Sequence, residues 1–107
     1  MTNLIAPLQM LAGNSHFDKS HPGWTLYEPT GDGGDREFSV RIEFEREFAG
    51  PPVVHVGLAG MDVEGSDTVR LRLRARYIDR NGFTLLLGTW LNSRVHGVDV
   101  NWLALGN

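Results

Sequence analysis

The stretch "TVRLRLRARYIDRNGFTLLLGTW", residues 68–90, decides how the rest of the chain is read. Arg70, Arg72, Arg74 and Arg76 occupy every second position. Val69, Leu71, Leu73, Ala75 and Tyr77 fill the places between them. A period of two is the signature of a strand with one wet face and one packed face. Here it predicts a strand over 68–78 with the five apolar residues toward a core. "DRNG" at 79–82 is a turn signal, because Asn-Gly suits positive φ. "FTLLLGTW" at 83–90 supplies the returning strand.

The same pattern extends outward on both sides. In "EFSVRIEFE", residues 37–45, Phe38, Val40, Ile42 and Phe44 face one way, and the charged and polar residues face the other. "AGPP" at 49–52 ends that segment, since proline removes a backbone donor and fixes φ. "VVHVGLAGM" at 53–61 and "VHGVDVNWLAL" at 95–105 are two further strands, the latter reached through the short loop "LNSR". "LQML" at 8–11 reads as a short edge strand. Residues 13–36, rich in Gly, Pro, Asp and Ser, read as a long ordered loop; a loop that long in a small domain is usually functional or disordered. The sum is an all-β, six-stranded antiparallel β-sandwich. We expect a single domain over 1–107, with 1–36 looser and 37–107 forming the sandwich core.

Bulk composition agrees with one folded unit: 107 residues, 41% hydrophobic and 21% charged. There is no cysteine, which excludes disulfides, thiolate metal sites and a cysteine nucleophile. No apolar run approaches the roughly 18 residues that span a bilayer, so no membrane insertion is expected. "MTNLIAPLQMLAGNSHF" lacks the basic and apolar regions of a signal peptide. The expectation is a chain made in the cytoplasm that acts at an extracellular or particle surface by another route. A net charge of −3 argues against a nucleic-acid partner.

The arginine row has two readings. It is a solvated face whose like charges are paired by the acidic face of 37–45, or it is a subunit interface, where arginine is favoured. "GDGGD", residues 31–35, sets Asp32 and Asp35 in a glycine-rich loop. Turn chemistry explains it; calcium would need more oxygens, and an EF-hand would need a different spacing. His16, His21, His55 and His96 form no metal-ligand pattern, so neither metal nor cofactor is expected. No nucleophile elbow supports serine hydrolase chemistry, and no residue set argues for an enzyme. "GTWLNSRVHG", residues 88–97, is the most informative loop. It puts Trp90 at a strand end beside Asn92, Ser93, Arg94 and His96. A flat indole beside polar donors is what a sugar site requires, although a tryptophan can also simply pack a sheet end.

From Gly50 to Gly106 the chain resembles the H-type lectin domain, the family of the snail agglutinins and the discoidin C-terminal domain. The residues that carry the resemblance are "PPVV" at 51–54, "LAGMDVEGSDTVRLRLRARYIDRNGF" at 58–83, "TW" at 89–90 and "VDVNWLAL" at 98–105. The resemblance implies a six-stranded sandwich that assembles as a homotrimer or higher oligomer. It implies binding of galactose or N-acetylgalactosamine in a shallow site between subunits. It places Arg70 and Trp90 on the family's sugar-contacting arginine and tryptophan. Asp32 and Asp35 compete for the contacting aspartate, with Asp35 favoured. Asn92 and His96 complete the expected carbohydrate site. The chain departs from the snail members at Leu91, where they have histidine, and at His96, where they have tyrosine. A second expectation follows from these departures: a structural, adaptor or receptor-binding role in a phage-like spike or fibre, with the sugar site weakened.

Overall fold

The computed structural model describes residues 8–65 and 68–107. Its strands are β1 (Gln9–Asp18), β2 (Arg36–Glu43), β3 (Val53–Glu64), β4 (Arg72–Asp79), β5 (Gly82–Thr89) and β6 (Arg94–Gly106). They form two three-stranded antiparallel sheets, ordered β1-β6-β3 and β2-β5-β4. The six-stranded antiparallel sandwich is therefore as expected.

The inner faces meet in a core of Phe17, Leu26, Phe38, Phe83, Leu85, Leu87, Val95, Val98 and Val100. Alternation puts them there: Phe38 pairs with Leu87, and Phe17 with Val98, each facing inward from its own sheet. Burying one such side chain contributes about 1.5–3 kcal/mol. At one end of the sandwich, Phe44, Phe48, Phe83 and Trp102 close the core with ring centroids 5.2–6.0 Å apart. Gly13 lies under Trp102; a Cβ there would come within 2.7 Å of the indole.

Four expectations are corrected. First, the edge strand runs ten residues rather than four, and all of β1 pairs with β6. Its sequence hid this, because Gly13, Asn14, Ser15 and His16 carry no β signal; cross-strand pairing alone holds them extended.

Second, β4 begins at Arg72, not at residue 68. Residues Thr68–Leu71 lie outside the ladder. The segment is held by side chains instead: Thr89 Oγ1 donates to the Arg70 carbonyl, and the Arg70 amide donates to Ser93 Oγ over 3.0 Å.

Third, Tyr77 does not enter the core. It is 77% exposed with φ at 51°, and Ile78 packs inward in its place. The register shifts between Arg76 and Asp79, so the bulge reverses the alternation. Asn81 and Gly82 do not take positive φ. Gly82 is required for another reason: a Cβ would sit 2.2 Å from the Ile42 carbonyl oxygen.

Fourth, the acidic strand does not pair with the arginine row inside the chain. β5 lies between β2 and β4. Among the described residues, Arg41 spans that gap, passing over bare Gly82 to bind both Asp79 carboxylate oxygens at 2.8 Å.

Candidate functional site

The end of the sandwich opposite the ring cluster is closed by a charge. Arg36 opens β2 on the inward face, in step with Phe38, and is 5% exposed. Its guanidinium donates to the carbonyls of Leu26 at 3.1 Å, Leu91 at 3.1 Å and Ser93 at 2.8 Å. Nε makes no hydrogen bond among the described residues. Burial, and secondarily the Arg94 charge, lowers its pKa from the ordinary arginine value. The Leu91 and Ser93 carbonyls would otherwise lack a donor among the described residues, and the Leu26 carbonyl would keep only the Val95 amide, so one side chain fixes two loops.

The loops are tied together further. The Leu91 amide donates to the Gly33 carbonyl at 3.0 Å, and Leu91 itself has φ at 58°. The Val95 amide donates to the Leu26 carbonyl and Trp24 Nε1 to the Val95 carbonyl, each at 2.9 Å. Loop 19–35 is thus ordered by contacts to the start of β6.

Between these loops lies a shallow depression of about 440 Å³. Pro29, Thr30 and Gly33 form one wall; Arg70, Leu91 and Asn92 form the other. Arg70 Nη1 donates to Asn92 Oδ1 at 3.2 Å and to the Thr68 carbonyl at 3.3 Å. Among the described residues Arg70 has no carboxylate partner, and it lines the rim of the depression. The arrangement offers a cation, an amide and an apolar patch to one small polar ligand.

The expected site residues are distributed as follows. Arg70 and Asn92 are brought together. Trp90 follows β5, half-buried, and the Arg72 guanidinium lies 4.7 Å from its ring centroid. Asp32 turns into its own loop: Oδ1 accepts from Thr30 Oγ1 at 2.6 Å and from the Gly34 amide at 2.9 Å. These bonds, Thr30 first, lower its pKa. Asp35 is exposed directly before Arg36 and does not line the depression. His96 lies apart, with its ring 4.6 Å from Tyr27 and Nε2 3.4 Å from Glu64. It lines a neighbouring hollow with His16, Asp18, Lys19 and Asp62. No group of three or more His, Asp or Glu among the described residues is placed to hold a metal ion.

Sequence reasoning missed Arg36 and Tyr27 as parts of this end. The signal for Arg36 was present: continuing the inward register of Phe38, Val40 and Ile42 back by two reaches it.

The sequence pattern of the H-type lectin domain matches residues 39–105. The chain belongs to the H-type lectin domain family. Membership supports reading it as a carbohydrate-binding module of the lectin class. A protein of Fuscovulum blasticum described as "ATP synthase subunits region ORF 7" is 33% identical over 74 residues, which is 69% of this chain and 64% of that one. Recombinant discoidin II of Dictyostelium discoideum superposes with a TM-score of 0.82 at 22% identity, over 99% of this chain and 40% of that chain. Wild-type discoidin II gives 0.81 at 22% identity, over 98% and 39%. The likeness to discoidin II is one of fold. This H-type lectin domain therefore spans less than two thirds of the curated relative it matches, and about two fifths of the discoidin chain.

Proposed function

We propose that this H-type lectin domain binds galactose- or N-acetylgalactosamine-type residues of surface glycans through the Arg70–Asn92 depression, and does so as an oligomer. The observation that carries the reading is the hydrogen-bonded Arg70–Asn92 pair facing Leu91 and Pro29, with Trp90 next along the chain. A charge-assisted hydrogen bond from Arg70 to a hydroxyl is worth about 1.5–3 kcal/mol, and the sugar's desolvation offsets much of it. Each site is then weak, and linking sites raises avidity by about 10²–10⁴.

Support for assembly comes from the outer face of β1-β6-β3. Met10, Leu105 and Val53 stand side by side across its three strands, with Met10 and Val53 62% and 64% exposed. A homotrimer covering this face would remove it from water.

A glycan array with the assembled protein tests the reading; a folded oligomer without signal for galactose-type glycans sinks it. The alternative, a structural or adaptor part in a particle spike, is favoured by Arg72 lying over the Trp90 ring, a face a sugar would otherwise use. A Trp90→Ala, Arg70→Ala double variant separates the two. Loss of glycan binding with the oligomer intact supports the lectin. Loss of assembly with no change in glycan binding supports the adaptor.

A further inference from the structure

The arginines of this chain fall into two sets. Arg41, Arg80 and Arg94 each lie beside a carboxylate: Asp79 and Glu43, Glu47, and Glu28 and Glu64 respectively. Arg36, Arg46, Arg70, Arg72, Arg74 and Arg76 have no such partner among the described residues. Arg46 lies in the loop between β2 and β3, and the other five gather about β4 and the depression. Arg36 is buried beneath the 91–93 loop and Arg70 stands at the rim of the depression. Arg72, Arg74 and Arg76 continue from it along edge strand β4, opposite Gly88, Leu86 and Thr84.

Alternate residues on a strand stand about 7 Å apart, so the β4 row is a line of like charges about 14 Å long leading away from the depression. Such a line is self-repelling, and acidic residues are the usual remedy. They are at hand but unused. Glu37 lies in the same cross-strand row as Arg72, separated only by Gly88, where a Cβ would be 3.8 Å from Glu37 Cγ and 4.0 Å from Arg72 Cβ. The Arg72 guanidinium nevertheless rests on Trp90. Asp32, nearest the depression, has its Oδ1 engaged by Thr30 and Gly34.

We infer that the ligand is an acidic glycan: a galactose-type unit seats at Arg70 and Asn92, and carboxylate or sulfate groups on the adjoining units lie along Arg72, Arg74 and Arg76. The inference rests on the reading of the depression as a glycan site and names its ligand class. The cation over Trp90 is part of it. A guanidinium held on an indole face keeps its edge donors free for an oxyanion. A net charge of −3 favours a ligand that touches only this strip over a long phosphate polymer that meets the whole surface.

The test measures binding of the oligomeric protein to three galactose-configured polymers: neutral galactan, polygalacturonate and a sulfated galactan. Single-stranded DNA serves as a further polyanion, and each titration is run at about 50 and about 300 mM salt. The expected result is an affinity for one acidic galactan about tenfold or more above the neutral one, a gap that narrows at the higher salt. Which acidic polymer wins distinguishes carboxylate from sulfate. The triple variant Arg72→Gln, Arg74→Gln, Arg76→Gln should lose that gap while still binding neutral galactan and remaining oligomeric. Equal affinity for neutral and acidic galactans overturns this inference and leaves the glycan reading standing. Binding to none of the three overturns both. DNA bound as tightly as the acidic galactan overturns it in favour of a general polyanion surface. If the triple variant dissociates while the wild-type shows no acidic preference, the row is a subunit contact instead.

Discussion

The two ends of the sandwich solve the same problem with opposite chemistry. Each sheet pair must be sealed where its strands run out. At one end Phe44, Phe48, Phe83 and Trp102 interlock, and the Phe48 amide reaches the Arg80 carbonyl at 2.9 Å. At the other end Arg36 sits beneath the surface and supplies donors to the Leu26, Leu91 and Ser93 carbonyls. The ring cluster seals its end by aromatic packing. The buried guanidinium needs loop backbone around it, and loops held in that way leave a depression with Arg70 and Asn92 on its rim. The apolar end is held by packing, while the charged end couples packing to the proposed binding surface.

The strongest way to break that comparison is Phe48→Ala. Phe48 is 1% exposed, and truncation should lower unfolding free energy by about 3–5 kcal/mol, read as a fall in the urea midpoint. Glycan affinity of the remaining folded protein should not change. A drop in affinity at matched folded fraction would mean that the two ends are not separate.

Next in size is Arg36→Met. Leaving the Leu91 and Ser93 carbonyls without donors, and the Leu26 carbonyl with the Val95 amide alone, should cost about 2 kcal/mol, less than the full hydrogen-bond loss because a buried charge is removed as well. Here affinity must fall too, by about tenfold or more, since loop 91–93 loses its anchor. Unchanged affinity in a destabilised variant would show that the loop is positioned by something other than Arg36.

Arg70→Ala sharpens the comparison from the ligand side. Calorimetry should show glycan affinity reduced by about tenfold or more, while stability stays within about 0.5 kcal/mol. A stability loss above 1 kcal/mol would assign Arg70 to holding Thr68 and Asn92 rather than to the ligand.

The smallest expected effect is electrostatic and belongs to the outer face near the charged end. His16 Nδ1 lies 2.6 Å from Asp99 and Nε2 2.9 Å from Asp18, so both ring nitrogens face carboxylates. That geometry favours the imidazolium, and the hydrogen bond to Asp99, then that to Asp18, raises its pKa above 6.5. Because the folded value is raised, the contribution is full at low pH and is lost as pH rises through the folded midpoint. Asp18 works in the opposite sense. Hydrogen bonds from Ser20, then from His16, hold its pKa below the ordinary carboxylate value, so its contribution is lost as pH falls. The network is complete in the window above the ordinary aspartate range and below the raised histidine midpoint. An NMR titration should place the His16 midpoint above 6.5, and Asp99→Asn should lower it. A midpoint at or below 6.5 in the wild-type would show that the two contacts do not persist in solution.

Much of this was legible in the sequence, and the failures have specific causes. The hairpin at 68–90 announced itself because Leu71, Leu73 and Ala75 alternate with arginines and the partner strand is apolar. β1 did not, because its register is imposed by β6 on residues such as Gly13 and Asn14 that express no preference of their own. Tyr77 misled because strict alternation cannot foresee a bulge. Asp32 looked available as a ligand residue, but a carboxylate two residues from Gly34 closes its own turn first.

By itself the sequence determined the fold class and five of the six strand positions within a few residues. These depend on periodicity and on local residue chemistry, which act between near neighbours. The tertiary structure alone decided that β5 separates the acidic strand from the arginine row, that Arg36 is the buried seal of one end, and that Arg72 rests on Trp90. Those facts depend on which strands become neighbours and on what each buried polar group finds to bond with. Both are settled only when segments far apart in the chain meet.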